Sequence, residues 1–292
     1  MGSGALIRLL PSLAAVAAGV QVGAAMVATR FVVDQIGPAS LALLRYAVGF
    51  ACLLPPALVA SRVRFARRDV LPIALLGIGQ FGVLIALLNW GLARIPSGRA
   101  ALIFATTPVL AMLLAAALGH ERLTAVKAAG VLLSLGGVAM AVGERAAPAG
   151  AVPGWAGEAA VLASALTAAV CSVLYRPYLR KYPALPVGAF AMLASVAFLS
   201  ILAAGEGFYA GLPRLTPGGW LAVAFIGVGS GAGYFWWLWA LAHAPATRVT
   251  VCLGLSPITA ALLGGLLLAE PVSGGTALGL AGVVLGLALA HR

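Results

Sequence analysis

Ten long runs of apolar residues constrain the fold of this 292-residue chain more than any other feature. Short segments with proline, glycine or charge separate the runs, which fall at residues 10–33, 38–60, 70–93, 97–118, 124–142, 155–177, 186–204, 217–242, 246–268 and 273–290. An α-helix needs about 20 apolar residues to cross a bilayer, and most of the runs have that length. Hydrophobic residues make up 63% of the chain and charged residues only 9%, which excludes a water-soluble globular protein. We therefore predict an all-α integral membrane protein with ten transmembrane helices.

The basic residues indicate how the predicted helices are oriented. The chain has 18 Lys and Arg residues against 7 Asp and Glu, a net charge of +11. If the N-terminus is cytoplasmic, twelve basic residues lie on the cytoplasmic side, five lie on the other side, and Arg45 lies within the second span. Cytoplasmic loops are enriched in Lys and Arg, so we expect a multi-pass protein of the cell inner membrane with both termini cytoplasmic. The charge is thus explained by topology, and the expected partner is the lipid bilayer, not nucleic acid.

An internal repeat divides the chain into two halves. Six residues recur after a displacement of 149 positions: Pro96, Arg99, Pro108, Glu121, Gly130 and Gly137 recur as Pro245, Arg248, Pro257, Glu270, Gly279 and Gly286. We place the halves at residues 1–146 and 147–292, with five helices in each. Because five is odd, the second half enters the membrane from the opposite side, which predicts inverted repeats around a central cavity. This architecture is typical of alternating-access transporters.

Two segments carry a family resemblance, at residues 96–141 and 245–290. Each has a mid-span proline preceded by Thr107 or Ser256, then a leucine-rich stretch, a glutamate, and a glycine-bearing helix. Both resemble the EamA-type repeat of the drug/metabolite transporter superfamily, although Pro271 replaces the usual basic residue after the second glutamate. The resemblance implies a transporter, most like the bacterial exporters of amino acids, including aromatic ones.

Four repeated residues are candidates for hinges or gates: Pro108, Pro257, Arg99 and Arg248. Proline lacks an N–H group, so the carbonyls of Phe104 and Leu253 lose their helical partners and each helix is expected to kink. Each kink is either static or a hinge, and Thr107 and Ser256 either satisfy the freed backbone or contact substrate. The two arginines either anchor helix ends at the interface, steer a carboxylate, or pair with Glu121 or Glu270.

The helices after each glutamate begin with an expected N-cap, Thr124 in the first half and Ser273 in the second. Glu121 and Glu270 lie close to the positive ends of helix dipoles, which favours a capping role, with gating as the alternative.

Polar residues in spanning helices nominate a substrate site. At 100° per residue, Ser164, Thr167 and Tyr175 share one face of the sixth helix, and Ser230, Tyr234 and Trp237 share one face of the eighth. The predicted substrate-binding residues are Gln21, Gln80, Ser164, Thr167, Tyr175, Ser230, Tyr234 and Trp237. The alternative for each is interhelical hydrogen bonding or an interfacial aromatic belt. Arg45 is either functional or placed near an interface.

Other motifs argue against rival functions. The GxGxxG match at residues 77–82 lies inside an apolar helix without a βαβ context, and no GxxxxGK[ST] loop is present. The histidines lie at span ends and form no metal or acid–base cluster, so we expect no metal, no cofactor and no enzyme activity. No carboxylate lies at midspan, which favours a secondary or facilitative carrier over a proton-coupled one.

The sequence therefore favours an exporter of small molecules, namely amino acids of broad range that include aromatic and hydrophobic ones, working as a monomer or weak homodimer. The alternatives are export of other metabolites or drugs, a nucleotide-sugar carrier, a channel, a receptor or scaffold, or a membrane enzyme.

Overall fold

The computed structural model describes residues 3–60, 63–119, 124–143, 155–211, 213–243, 252, 255–270 and 273–290. Over these residues the chain forms ten helices and a short 3₁₀ turn at Phe208–Ala210, with no strand. The helices are α1 Ser3–Val32, α2 Pro38–Ala60, α3 Arg67–Leu92, α4 Ser97–Ala117, α5 Ala125–Gly143, α6 Ala156–Lys181, α7 Ala184–Gly205, α8 Pro217–His243, α9 Leu255–Leu268 and α10 Gly274–Ala290. The predicted all-α class is confirmed for this part of the chain.

Six of these helices are long and apolar enough to cross a membrane, as judged on the described residues: α1, α2, α3, α4, α6 and α7. The apolar parts of α5, α9 and α10 are shorter. Large apolar side chains cover the outside of the bundle, where Leu266 is 79% exposed and Ile201 and Leu221 are 73% exposed. Such a surface is stable only against lipid, so the protein is a multi-pass membrane protein.

Two helices depart from regular α-geometry. α3 changes to a π-helix over Ile78–Val83, so the GxGxxG match lies inside a helix, as predicted. α4 is interrupted by a turn between its segments Ser97–Phe104 and Thr107–Ala117. Pro108 lies at this break, and the hydroxyl of Thr107 donates to the Phe104 carbonyl at 2.7 Å. The predicted kink and its repair by Thr107 are confirmed.

The helix contacts have an exchange symmetry between the first five helices and the last five. α1 packs on α8 and α9, and correspondingly α6 packs on α3 and α4. α2 packs on α8 as α7 packs on α3, while α2 with α7, α4 with α9 and α5 with α10 form self-corresponding pairs. The packing therefore treats helix i and helix i+5 as equivalents, which is the pattern that a two-fold relation between the halves produces.

The closest of these pairs is α5 with α10. A Cβ atom added at Gly137 would lie 2.6 Å from the Gly279 oxygen, and one at Gly286 would lie 2.6 Å from the Gly130 oxygen. The predicted tight packing of the heptad-spaced glycines is confirmed. In lipid, where helices gain little from the hydrophobic effect, such backbone approach maximises van der Waals contact.

Two groups of hydrogen bonds, which we call the carboxylate clamps, join the halves. In one, Glu206 after α7 accepts from the Ser40 hydroxyl at 2.7 Å and the Ser40 N–H at 2.8 Å, at the start of α2. In the other, Asp69 in the first turn of α3 accepts from Lys181 and from the Tyr182 hydroxyl at 2.6 Å, at the end of α6. Each clamp thus fastens a carboxylate of one half to the first helix junction of the other half.

Glu270 forms a further link between the halves. Its carboxylate accepts from the Ser97 N–H at 2.9 and 3.0 Å and from the Ser97 hydroxyl at 2.5 Å, at the N-terminus of α4. Glu270 therefore caps α4, a helix of the other half. The sequence predicts a capping role but does not identify α4 as the capped helix. Thr124 and Ser273 accept from backbone N–H groups three residues ahead, so both predicted N-caps are confirmed. Glu121 and Pro271 lie outside the described residues.

Because α5 and α10 pack closely, we expect alanine substitutions at two neighbouring glycines to change the melting temperature in opposite ways. Gly137→Ala is expected to lower the melting temperature in detergent, because the added methyl group meets α10 and overpacking costs about 1–3 kcal/mol. Gly136→Ala is expected to leave the melting temperature unchanged or raised, because nothing lies within 4 Å of a Cβ at Gly136. Alanine is also favoured over glycine inside a helix by about 0.5–1 kcal/mol. Equal melting temperatures for the two variants would contradict this packing.

Candidate substrate cavity

A cavity of about 170 Å³ lies among α1, α2, α3, α7 and α8. It is lined by Ala18, Gln21, Val22, Arg45, Tyr46, Phe81, Met192, Ser230, Gly233 and Tyr234. Three of the predicted binding residues, Gln21, Ser230 and Tyr234, are thus brought together by helices from both halves. A small organic molecule would contact both halves at once, which is the geometry expected of a transport site.

Glycines of α8 allow this helix to lie deep in the groove between α1 and α2. A Cβ at Gly227 would lie 2.7 Å from the Val48 Cβ, and one at Gly231 would lie 3.0 Å from the Gly49 oxygen of α2. On the α1 side, Cβ atoms at Gly229 and Gly233 would lie 2.5 and 2.7 Å from the amide atoms of Gln21. The first glycine face therefore sets the approach of α8 to α2, and the second sets the position of Gln21 at the cavity.

Arg45 of α2 reaches the cavity and is held there by α8. Its Nε donates to the Ser230 hydroxyl oxygen at 2.7 Å, and that hydroxyl donates to the Ile226 carbonyl at 2.7 Å. The guanidinium carbon lies 5.6 Å from the centre of the Tyr46 ring. Arg45 therefore lines the cavity and bonds to α8, and its functional role and its depth in the membrane stay predictions.

Aromatic rings form another part of the cavity lining. Tyr46 and Phe81 meet edge to face with centroids 5.3 Å apart, and Phe81 and Tyr234 meet likewise at 6.0 Å. The Tyr234 ring also packs over Gly188 of α7, where a Cβ would lie 2.5 Å from the ring. Edge-to-face contacts stabilise such ring pairs, so this wall offers a largely apolar surface. Sequence reasoning missed Tyr46, Phe81 and Met192, whose residue types do not distinguish a cavity from a core.

The residues of the polar stripe of α6 are not among those that line this cavity. Ser164 is fully buried, and its hydroxyl has no hydrogen-bond partner among the described residues. Thr167 donates to the Ala163 carbonyl of its own helix at 2.8 Å. The Tyr175 hydroxyl is also buried without a partner in the described part, and the ring packs against the main core. Substrate contact by these three residues stays a prediction.

The two remaining predicted binding residues are Gln80 and Trp237. Gln80 lies in the π-helical segment of α3, and its Oε1 is buried without a hydrogen-bond partner within the described ranges. π-Helical turns are frequent at functional sites, so a role for Gln80 stays a prediction. The side chain of Trp237 lies outside the described part of the chain.

The described candidates for hinges or gates lie in different structural settings. Pro108 produces the break in α4, whereas Pro257 lies in the first turn of α9, and the backbone carbonyl that it would leave free lies outside the described residues. Arg99 pairs with Glu158 of α6 at 3.4 Å, a carboxylate that the sequence analysis did not name as its partner. Arg248 lies outside the described residues. Their roles as hinges or gates stay predictions.

The acidic residues of the described chain lie at helix ends, in the clamps or in ion pairs. Asp34 pairs with Arg30 at 2.9 Å, and Glu158 with Arg99. Within the described residues no three His, Cys, Asp or Glu side chains lie together as a metal site requires.

The geometry is that of a small-molecule cavity between two equivalent helix bundles, and comparison with known proteins agrees with it. A model of the EamA-like transporter family matches residues 9–143 and 155–292, in two copies. The chain belongs to the EamA-like transporter family. Members of the EamA-like family are membrane transporters of small molecules, so the resemblance found in the sequence is confirmed.

Relatives of this EamA-like chain include two curated proteins. A protein of Streptantibioticus cattleyicolor named "Probable terminal-alkyne amino-acid exporter" is 33% identical over 172 residues, which cover 59% of this chain and 57% of that protein. The match thus spans little more than half of that relative. An "Uncharacterized transporter" of Archaeoglobus fulgidus is 27% identical over 275 residues, 92% of this chain and 94% of that protein. A protein crystal structure has the same fold, with a TM-score of 0.66, 24% identity, and coverage of 97% of this chain and 96% of that one.

The cavity makes a prediction for cysteine labelling. In a background with Cys52, Cys171 and Cys252 replaced by alanine, Ser230→Cys is expected to react with a hydrophilic, membrane-impermeant thiol reagent. A thiol reacts as the thiolate, which forms in water and not in lipid. Val228→Cys, two residues earlier on the exposed face of α8, is the control and is expected to react at least roughly tenfold more slowly. Equal labelling rates would show that the Ser230 face holds no aqueous cavity.

Proposed function

We propose that this EamA-like protein is a facilitative exporter of amino acids, including aromatic and hydrophobic ones. The observation that carries the proposal is the composition of the cavity, in which a guanidinium and an amide face a wall of aromatic rings. The polar side offers donors to a carboxylate, and the rings offer contact area to an apolar side chain. Aromatic faces also attract an ammonium group, so a zwitterion is accommodated without a buried carboxylate.

The S. cattleyicolor relative supports the cargo class. Its name assigns it a terminal-alkyne amino acid, which has the same combination of a zwitterionic head and an apolar tail. A shared cargo class is consistent with 33% identity between the two proteins.

The proposed mechanism is alternating access by rocking of two inverted five-helix halves, residues 1–146 and 147–292. The exchange symmetry of the helix contacts supports it, because a pseudo-two-fold rotation that exchanges the halves converts an arrangement open to one side into one open to the other. The asymmetry in Lys and Arg supports cytoplasmic termini and a location in the cell inner membrane. We propose a monomer or weak homodimer as the working unit.

Other cargoes fit the cavity less well. A nucleotide sugar carries two phosphate charges and would want several cations, whereas Arg45 is the single basic residue among those lining the cavity within the described residues. Export of other small metabolites or drugs is the remaining alternative, and a substrate panel distinguishes it.

Counterflow in proteoliposomes tests the cargo. Phenylalanine and leucine loaded inside are expected to accelerate uptake of the labelled amino acid from outside, while a nucleotide sugar and a cationic drug are not. Tyr234→Ala is expected to raise the half-saturation concentration for phenylalanine roughly tenfold, because part of the apolar wall is lost. Phe225→Ala, an exposed aromatic residue on the same helix, is the matched control and is expected to leave it unchanged. Absence of counterflow for every amino acid tested would exclude the proposed cargo.

A pH gradient across the same vesicles tests the energy source. No carboxylate lines the cavity in the described part of the chain, so nothing in the site links cargo to a proton. We expect an imposed gradient to change the rate of equilibration little and to produce no accumulation above the outside concentration. Uphill accumulation that a protonophore abolishes would show that the transporter is proton-coupled.

A further inference from the structure

Arg45 has an unbalanced charge inside the cavity. Only its Nε has a hydrogen-bond partner in the described residues, the Ser230 oxygen at 2.7 Å, although a guanidinium carries five N–H donors. A cation within a spanning helix is costly unless a partner neutralises it. The other N–H groups of Arg45, on its two terminal nitrogens, have no hydrogen-bond partner among the described residues.

Three basic residues elsewhere in the described bundle, unlike Arg45, have a carboxylate partner. Arg30 pairs with Asp34 at 2.9 Å, Arg99 with Glu158 at 3.4 Å, and Lys181 with Asp69. Among the described residues Arg45 has no such carboxylate, and the nearest charge-related contact is the face of the Tyr46 ring. A missing internal counter-ion at a cavity favours an anionic ligand.

A second donor lines the same cavity. The Nε2 of Gln21 is buried and has no hydrogen-bond partner within the described chain. A buried unpaired donor costs about 1–3 kcal/mol, so a ligand that supplies an acceptor to it gains free energy on binding. The glycines at 229 and 233 hold the amide in this position by their close approach.

We infer that Arg45, with Gln21, binds the carboxylate of the cargo, and that the ammonium group is dispensable. This inference rests on the proposed function and sharpens its substrate class to monocarboxylates with an apolar tail. No acidic side chain faces the cavity from the described helices, so the ammonium gains only contact with ring faces. Such contacts contribute about 0.5–2 kcal/mol, less than a guanidinium–carboxylate pair.

The duplicated half lacks the equivalent group. In α3, Gly77 and Gly79 pack on Ala191 of α7 and on Cys171 of α6, just as Gly227 and Gly229 pack on α2 and on Gln21. Where the first half presents Gln21, the second presents a thiol. The amide of Gln21 therefore has no polar counterpart at the corresponding position of the second half.

Ligand-induced thermal stabilisation of the purified protein tests the inference without requiring transport. The probes are phenylalanine, 3-phenylpropanoate, which lacks the ammonium group, and phenylalaninamide, which lacks the carboxylate. Phenylalanine and 3-phenylpropanoate are expected to raise the melting temperature, and the amide is expected to bind about 10- to 100-fold more weakly, the loss of a charged hydrogen bond. Equal stabilisation by the amide, no stabilisation by 3-phenylpropanoate, or none by any probe would overturn the inference.

Variants of Arg45 test whether this residue is responsible for the stabilisation by carboxylates. Arg45→Gln is expected to abolish stabilisation by both carboxylates, and Arg45→Lys to retain part of it, because the charge remains while the forked donors are lost. Arg64→Gln removes an exposed charge from the loop before α3 and is the control expected to behave as wild type. Undiminished binding to Arg45→Gln would overturn the inference. If Arg45→Gln does not fold, the wild-type comparison of acid with amide and the Arg45→Lys variant still decide it.

Counterflow separates this inference from the proposed function. 3-Phenylpropanoate outside is expected to inhibit uptake of labelled phenylalanine, and phenylalaninamide is not. Carboxylate-specific stabilisation without amino-acid counterflow would refute the proposed function and leave the Arg45 site standing. Amino-acid counterflow that phenylalaninamide inhibits as strongly as 3-phenylpropanoate does would support the proposed function and refute the inference about Arg45.

Discussion

The backbone approach of α8 to α1 and α2 is the contact on which the cavity depends. Within a bilayer, apolar side chains gain little by leaving lipid for protein, so helices associate by close van der Waals contact. Glycines at alternating positions from 227 to 233 give α8 two surfaces without side chains, one for each neighbour. The polar side chains between and opposite them, Ser230 and Gln21, are then fixed at the cavity, and Ser230 in turn orients Arg45. Bulk at any of these glycines would displace the site as a whole.

Local chemistry made much of the fold predictable from sequence. The apolar runs gave the helices within a few residues at most boundaries, because a spanning segment has a required length and composition. Thr124 and Ser273 cap their helices as expected, and Thr107 satisfies the carbonyl that Pro108 frees. The heptad-spaced glycines of α5 and α10 pack as predicted. In each case the relevant partner lies within one helix turn or is fixed by the repeat.

The site was less predictable because its geometry depends on contacts between distant helices. Angular position on α6 places Ser164 and Thr167 on one face, but periodicity does not say which neighbouring helix that face meets. Glu270 was expected near a helix dipole, yet it caps α4 in the other half, a pairing that only the packing of α4 against α9 decides. Arg45 was visible as a charge within a span, and its significance came from Ser230, 185 residues away.

The carboxylate clamps bear on the energetics of the carrier that we propose, which would use no ion gradient. Such a carrier turns over quickly only if its two end states have similar free energies, since a deep well at either end would trap it. Glu206 accepts from the neutral donors of Ser40, whereas Asp69 forms an ion pair with Lys181, so the two clamps join the same two halves by contacts of different charge. A substitution in one clamp alone would therefore change the free energy of the arrangement that this clamp stabilises and leave the other clamp in place.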